Sequence, residues 1–234
     1  MKILAIDSSS KPASASVVAD GKVLCEVFVN NGFTHSKTLM PVISDVLNHS
    51  ESKLNEVDLC AVVTGPGSFT GVRIGVAAAK GICFDLGIPC VSVSTLEAMA
   101  YNLSCVKGYV CAVMDARCSQ VYTATFKCSN GVERLTEDRA ISISELIEHF
   151  KSLDGDVYIL GDGASLVYSK LLIENAELLN RVCLVNENNR YQRSSSVAAC
   201  AEHINAERYV KPDELVPVYL RLPQAERELK NKLK

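Results

Sequence analysis

The chain opens on an apolar run, Ile3-Leu4-Ala5-Ile6, that stops at Asp7 and the turn formers Ser8-Ser9-Ser10-Lys11-Pro12. A run this short, bounded this way, predicts a buried strand over residues 2–7. Two β-prone runs follow, Ala13 to Ala19 and Val23 to Val29, joined at Asp20-Gly21, a strong hairpin signal. From Thr34 the period lengthens. Leu39, Met40, Ile43, Val46 and Leu47 fall on one helical face, with Thr34 or Ser36 placed to cap it. A strand over Leu59 to Val63 then runs into Gly65-Pro66-Gly67-Ser68-Phe69-Thr70-Gly71. A helix is expected from about Val72 to Leu86 with Gly87 closing it, then a strand over Ile88 to Val93 and a helix from Thr95.

The pattern then starts again. Tyr109 to Met114 is an apolar strand ending in Asp115, as the first ended in Asp7. Val121 to Phe126 and the run from Val132 make a second hairpin around Cys128-Ser129-Asn130-Gly131. Ser142 to Phe150 is helical, with Ser142 and Glu145 in capping-box spacing. Val157 to Leu160 leads into Gly161-Asp162-Gly163-Ala164, as the earlier strand led into its glycine turn, and a helix follows in each half. Two βββαβα units in tandem explain this order better than one doubly wound sheet, which has no opening hairpins. The division is expected near residues 104–108, with lobes 1–106 and 107–234, and superposition should match Asp7 to Asp115 and Gly65 to Gly161. After Lys211, Pro212, Pro217 and Pro223 predict extended chain before a short charged helix.

Composition narrows the function. With 48% hydrophobic residues among 234, the chain has apolar material for packed lobes rather than disorder. A net charge of −3 argues against a stand-alone nucleic-acid binder, which needs a basic surface to displace counterions. Ten cysteines occur without a Cys-x-x-Cys pair, and the start of the chain shows no apolar leader. Those facts point to a reduced cytoplasmic protein in which Cys25, Cys60, Cys83 and Cys111 serve as small hydrophobes. The longest apolar stretch, Val72 to Ile88, carries Arg73, Lys80 and Asp85, whereas a membrane span needs roughly 20 mostly apolar residues.

Candidate chemistry centres on the glycine turns. Gly65, Gly67 and Ser68 stand between a strand and a helix N-terminus, where converging N–H groups suit an anion. The phosphate motifs fail, since no Lys follows as in a P-loop and the glycines miss the dinucleotide spacing by one residue. A tight turn with a Ser or Thr cap stands beside the anion reading. Asp7, with Ser8 and Ser9, and Asp115 end strands that face a cleft in a two-lobed fold, where a carboxylate suits a hydrated Mg²⁺; each acid equally suits capping its own turn. His35, His49, His149 and His203 form no paired-ligand spacing, and no Gly-x-Ser-x-Gly elbow is present. Gly71, Gly75 and Ala79, with Ala78 beside them, form a small-residue stripe that costs about 1 kcal/mol of helix propensity per Gly. Close approach of another element, within the chain or on a partner, accounts for it.

The run from Gly65 to Gly75, with Arg73 inside it, resembles the hallmark of the TsaB (YeaZ) family. Ala5-Ile6-Asp7-Ser8-Ser9, Asp115-Ala116-Arg117 with Gln120-Val121-Tyr122, His35-Ser36 with Leu39, Pro41 and Ile43, and Pro217-Val218-Tyr219-Leu220-Arg221 with Ala225 agree in order and spacing. The resemblance implies an actin-like (ASKHA, ribonuclease H-like) α/β fold of two related lobes. It also implies a cytoplasmic, non-catalytic partner of TsaD, the threonylcarbamoyl transferase of tRNA adenosine, with TsaE completing the complex. tRNA would be met only through that complex. TsaD carries paired metal-binding histidines, against which this chain offers only His35. No metal or cofactor is then required, weak ATP or ADP binding stays open, and Asp7, Ser8, Ser9, Gly65, Gly67, Ser68, Asp115, Gly161 and Gly163 mark a vestigial nucleotide site. His35, Leu39, Met40, Ile43, Gly71, Arg73, Gly75, Ala78 and Ala79 are the expected partner face, shared with a homodimer of the free protein. The alternative is an ATP-dependent kinase or hydrolase of the same fold, with Asp7 as its phosphate-side acid.

Overall fold

Strands β1 (Lys2–Asp7), β2 (Ala13–Ala19) and β3 (Lys22–Val29) open the computed structural model, which describes residues 1–221. Helix α1 (His35–His49), β4 (Leu59–Gly65), α2 (Phe69–Cys83), β5 (Cys90–Ser94) and α3 (Thr95–Tyr101) complete the first half. The sheet order is β3-β2-β1-β4-β5, with β1 antiparallel to β2 and parallel to β4. The second half repeats it with β6 (Gly108–Asp115), β7 (Gln120–Cys128), β8 (Val132–Arg134), β9 (Arg139–Ser142), α4 (Ile143–Lys151), β10 (Val157–Leu160), α5 (Ala164–Glu174), β11 (Val182–Leu184), α6 (Glu187–Arg190) and α7 (Ser194–Ala201). Its sheet runs β11-β10-β6-β7-β8, with β9 added on β7. The hairpins lie in separate sheets of matching order, as a duplicated actin-like fold requires.

The layers follow from which faces are apolar. Helices α1 and α2 cover the outer face of the first sheet, with Leu39, Ile43, Val72 and Val76 packed on Leu4, Ile6 and Val62. Helices α4 and α5 do the same on the second sheet, with Leu146, Phe150 and Val167 on Cys111 and Ile159. The inner faces exchange their helices. Val197, Ala198 and Ala201 of α7 pack on Ile3, Ala5 and Val93 of the first sheet. Leu96, Met99 and Ala100 of α3 pack on Val110, Met114 and Phe126 of the second. Lobe limits drawn at 106/107 therefore follow chain order, while α3 and α7 each lie across the division in space. A carboxylate holds α7 there: Glu26 on β3 accepts from the N–H of Ser195 at 2.9 Å and from Arg193 Nη2 at 2.6 Å.

Three local expectations change. Helix α2 starts at Phe69 rather than Val72, because the Ser68 hydroxyl accepts from the Gly71 N–H at 3.2 Å and caps it earlier. Thr34 is the first-helix cap residue, yet its side chain accepts no backbone N–H. Strand β9 sits in a charged stretch without alternation, and pairing to β7 supplies what its sequence does not signal. The predicted charged tail helix lies outside the described residues.

Candidate functional site

Strand β1 delivers Asp7 to the inner end of the first sheet, where the side chain is fully enclosed. Its Oδ1 accepts both the backbone N–H and the hydroxyl of Ser9, at 2.8 and 2.7 Å. Oδ2 has no partner among the described residues. Burial lifts the carboxyl from 3.8 to about 6 against the opposing pull of the Ser9 hydrogen bonds. Asp115 is exposed, and its Oδ1 accepts the Arg117 N–H at 2.7 Å. Each acid thus holds the turn two residues onward.

The two acids are not equivalent in register, which corrects the expected superposition. Ile6 pairs with Val62, so Asp7 stands one residue past the last pair and Gly65 three. Ala112 pairs with Leu160, so Asp115 stands three past and Gly161 one. Strand β6 extends further past its last pair with β10 than β1 does past its last pair with β4, while Asp7 and Asp115 stay paired with Ser14 and Val121 on the hairpin side.

Both glycine turns are packed on backbone. A Cβ on Gly67 would sit 2.4 Å from the Ser9 carbonyl, and one on Gly65 equally close to the Val218 carbonyl. The Ser68 N–H donates to that Ser9 carbonyl at 2.6 Å. In the second turn Gly163 donates to the Val113 carbonyl at 3.1 Å and Gly161 to the Arg190 carbonyl at 2.8 Å. A Cβ on Gly161, at φ +102°, would meet the Val113 carbonyl at 2.0 Å. The N–H groups that would have faced an anion are in good part satisfied by protein.

Between the turns lies a cleft of about 510 Å³, with Ser9, Lys11, Gly67, Asp115, Arg117 and Asp162 on its walls. Asp162 bridges the lobes, accepting the Ser10 hydroxyl at 2.5 Å and the Asp115 N–H at 3.1 Å. Burial raises its carboxyl above the ordinary value. The chain after Leu215 also lines the cleft. The Val218 N–H donates to the Thr64 carbonyl at 2.8 Å, and Tyr219 stacks on Phe69 with ring centroids 4.5 Å apart. Arg73 lies over the Phe69 ring and donates to the Tyr219 hydroxyl at 2.8 Å, while Arg221 donates to the Ala116 carbonyl at 2.8 Å.

This arrangement has relatives. The "tRNA threonylcarbamoyladenosine biosynthesis protein TsaB" of Bacillus subtilis is 33% identical over 97% of this chain and 96% of its own length. The chain belongs to the TsaB family. The Escherichia coli protein of the same name is 34% identical over 70% of this chain and 72% of its own. A family model described as "TsaD: tRNA N6-adenosine threonylcarbamoyltransferase" matches residues 31–225. The solved structure "YeaZ from Pseudomonas aeruginosa" superposes with a TM-score of 0.74 at 23% identity, covering 94% of this chain and 99% of that one. A second structure, of a protein from the same organism "with similarity to peptidase YEAZ", gives 0.76 at 22%, with the same coverage. Family membership places the chain among proteins named for tRNA threonylcarbamoyladenosine biosynthesis, on an actin-like fold. Among the described residues no helix is long and apolar enough to cross a membrane.

The residues expected on the TsaB-type partner face divide sharply. Leu39 and Ile43 are core, and Gly71, Gly75 and Ala79 are buried within their own lobe. A Cβ on Gly71 would stand 2.1 Å from the Ser8 carbonyl and one on Gly75 2.5 Å from Ser8 Oγ, so the stripe exists to admit the loop after β1. Ser8 Oγ donates to the Gly71 carbonyl at 2.9 Å. His35 is half-buried, with Nε2 2.6 Å from the Ser10 carbonyl, and supports the same loop. Met40 and Arg73 are exposed and Ala78 half-buried; Ala77 and Gly81 are exposed on the same helix. Sequence reasoning missed Lys11 as a cleft residue, and it quoted Arg117 and Asp162 within their motifs without assigning them to the cleft. It registered Pro217 to Arg221 only as a motif, not as a cleft wall.

Proposed function

We propose that this chain is the non-catalytic partner subunit of the tRNA threonylcarbamoyladenosine complex, binding and supporting TsaD together with TsaE, and meeting tRNA only through them. The observation that carries this reading is that the turn N–H groups of Ser68, Gly161 and Gly163 donate to the Ser9, Arg190 and Val113 carbonyls. A nucleotide-cleaving member of an actin-like fold needs those turns open to phosphate and adenosine, and here Ser9, Val113 and Val218 carbonyls abut them. No cofactor is assigned. The competing reading, an ATP-dependent kinase or hydrolase, draws on the cleft volume and on the unpartnered Asp7 Oδ2.

The docking face follows from exposure rather than from the buried stripe. Met40, Arg73, Ala77 and Gly81 lie outward on α1 and α2, with Ala78 beside them. The same face serves a homodimer of the free protein, so TsaD binding dissociates that dimer. Gly81 suits a test because no atom lies within 4 Å of an added Cβ. Gly81→Leu therefore leaves the lobe intact while holding a docked helix away. It should weaken TsaD binding, measured by calorimetry, by roughly five- to 150-fold, as about 1–3 kcal/mol of overpacking implies. Unchanged affinity places the interface elsewhere. Separately, the purified chain should hydrolyse no ATP above a buffer blank, and Asp7→Ala should leave TsaD-dependent tRNA modification intact. ATP turnover abolished by Asp7→Ala would reverse the assignment in favour of the enzyme.

A further inference from the structure

Away from the cleft, three thiols meet in the first lobe. Cys60 on β4 and Cys90 on β5 are directly paired neighbours on parallel strands, which places their side chains on the same face of the sheet. Cys83, the last residue of α2, comes down on that face. The three sulfurs lie within 4.8 Å of one another, and all three residues have 0% exposure. Among the described residues this is the one group of three close ligand atoms of metal-binding type. A metal–thiolate bond of about 2.3 Å sets sulfur–sulfur separations of about 3.5 Å in a pyramidal three-coordinate site, so small side-chain adjustments suffice.

Charge selects the occupant. The cluster is enclosed, with all three thiols shut off from water. Its surroundings are the apolar side of the lobe, including Ala79, Ile88 and Leu215. A net charge there is costly. Three thiolates with a divalent ion leave one negative charge, whereas a trivalent centre leaves none. We propose that Cys60, Cys83 and Cys90 form a closed three-sulfur site for a trivalent, thiophilic, pyramidal centre of the arsenic(III) class. Arsenous acid supplies the balanced step: three S–H protons and three hydroxyls leave as three waters, three As–S bonds form, and no electron is transferred. Entry runs through the turn from Phe84 to Pro89, which joins two of the ligands and is exposed from Phe84 to Gly87. Opening it uncovers Cys83 at the end of α2, while Cys90 keeps its place in β5.

The test is titration of the fully reduced chain with arsenite, followed by arsenic–sulfur charge-transfer absorption and by the intact mass. One arsenic per chain is expected, bound at micromolar concentrations, with at least a hundredfold loss of affinity in Cys83→Ala and in Cys90→Ala. Cys128→Ala, a buried thiol outside the cluster, should bind as the parent does. If either ligand variant unfolds, mapping in the parent replaces it: arsenite should protect Cys60, Cys83 and Cys90 from alkylation in mild denaturant while Cys105, Cys118 and Cys183 still react. Absent binding, or equal protection of all cysteines, would overturn the site. Uptake of cadmium with no uptake of arsenite would overturn the charge match that selects the ligand.

Discussion

The two lobes share strand order yet end their first strands differently, and the difference shows what duplication preserves. In the first lobe β1 stops one residue past its last pair with β4, with Asp7 buried and Ser8-Ser9 turned back under α2. That loop occupies space a side chain would need, so α2 carries Gly71 and Gly75. In the second lobe β6 runs two residues further past its last pair with β10, Asp115 reaches solvent, and α5 has no glycine. Topology survives divergence because every strand pair depends on it. The strand end is free to vary, because only one loop and one helix must agree.

The largest effect should come from breaking that agreement. Gly71→Leu forces a Cβ into the Ser8 carbonyl, backbone that cannot yield, and should cost about 3 kcal/mol or more, a Tm loss of roughly 6–12 °C by calorimetry. Ser165→Leu on α5, by contrast, should cost under about 1 kcal/mol, since that position is exposed and gives up one hydrogen bond from Arg190.

Next in size is the titration of Asp7. Its carboxyl holds a proton more tightly folded than unfolded, because burial lifts it from 3.8 to about 6. Between about pH 4 and pH 6 the native state carries the extra proton, so stability falls as pH rises through that window. The span amounts to about 3 kcal/mol at most, at 1.36 kcal/mol per unit. Asp7→Asn should flatten this part of the pH–stability curve measured by urea unfolding. A wild-type curve already flat from pH 4 to 6 would contradict the buried-acid reading.

A smaller effect tests the bridge between lobes. Ser10→Ala removes the hydroxyl donated to Asp162 and leaves a largely buried carboxylate with one fewer partner. A loss of about 1–2 kcal/mol is expected, along with faster hydrogen exchange at the end of β6. Smallest is Gly81→Ala, a gain of about 0.5–1 kcal/mol in an exposed helical position with open space around it. Opposite signs at Gly71 and Gly81, ten residues apart on one helix, would separate packing glycines from incidental ones.

The sequence alone determined much of this protein. Alternation, the Asp20-Gly21 hairpin, the Ser142–Glu145 capping box and the paired strand-to-glycine turns are local signals, because they depend on residues a few positions apart. They carried the tandem order and the family resemblance. Tertiary structure alone decided which side of α2 faces inward, so a stripe that reads as a docking face is a channel for the β1 loop. It also decided the exchange of α3 and α7 between sheets, the Ser10–Asp162 bridge across 152 positions, and the meeting of Cys60, Cys83 and Cys90. Propensity and periodicity describe how a segment presents its faces. What each face meets depends on strand pairings and loop paths set by distant residues, and those are resolved only when the whole chain packs.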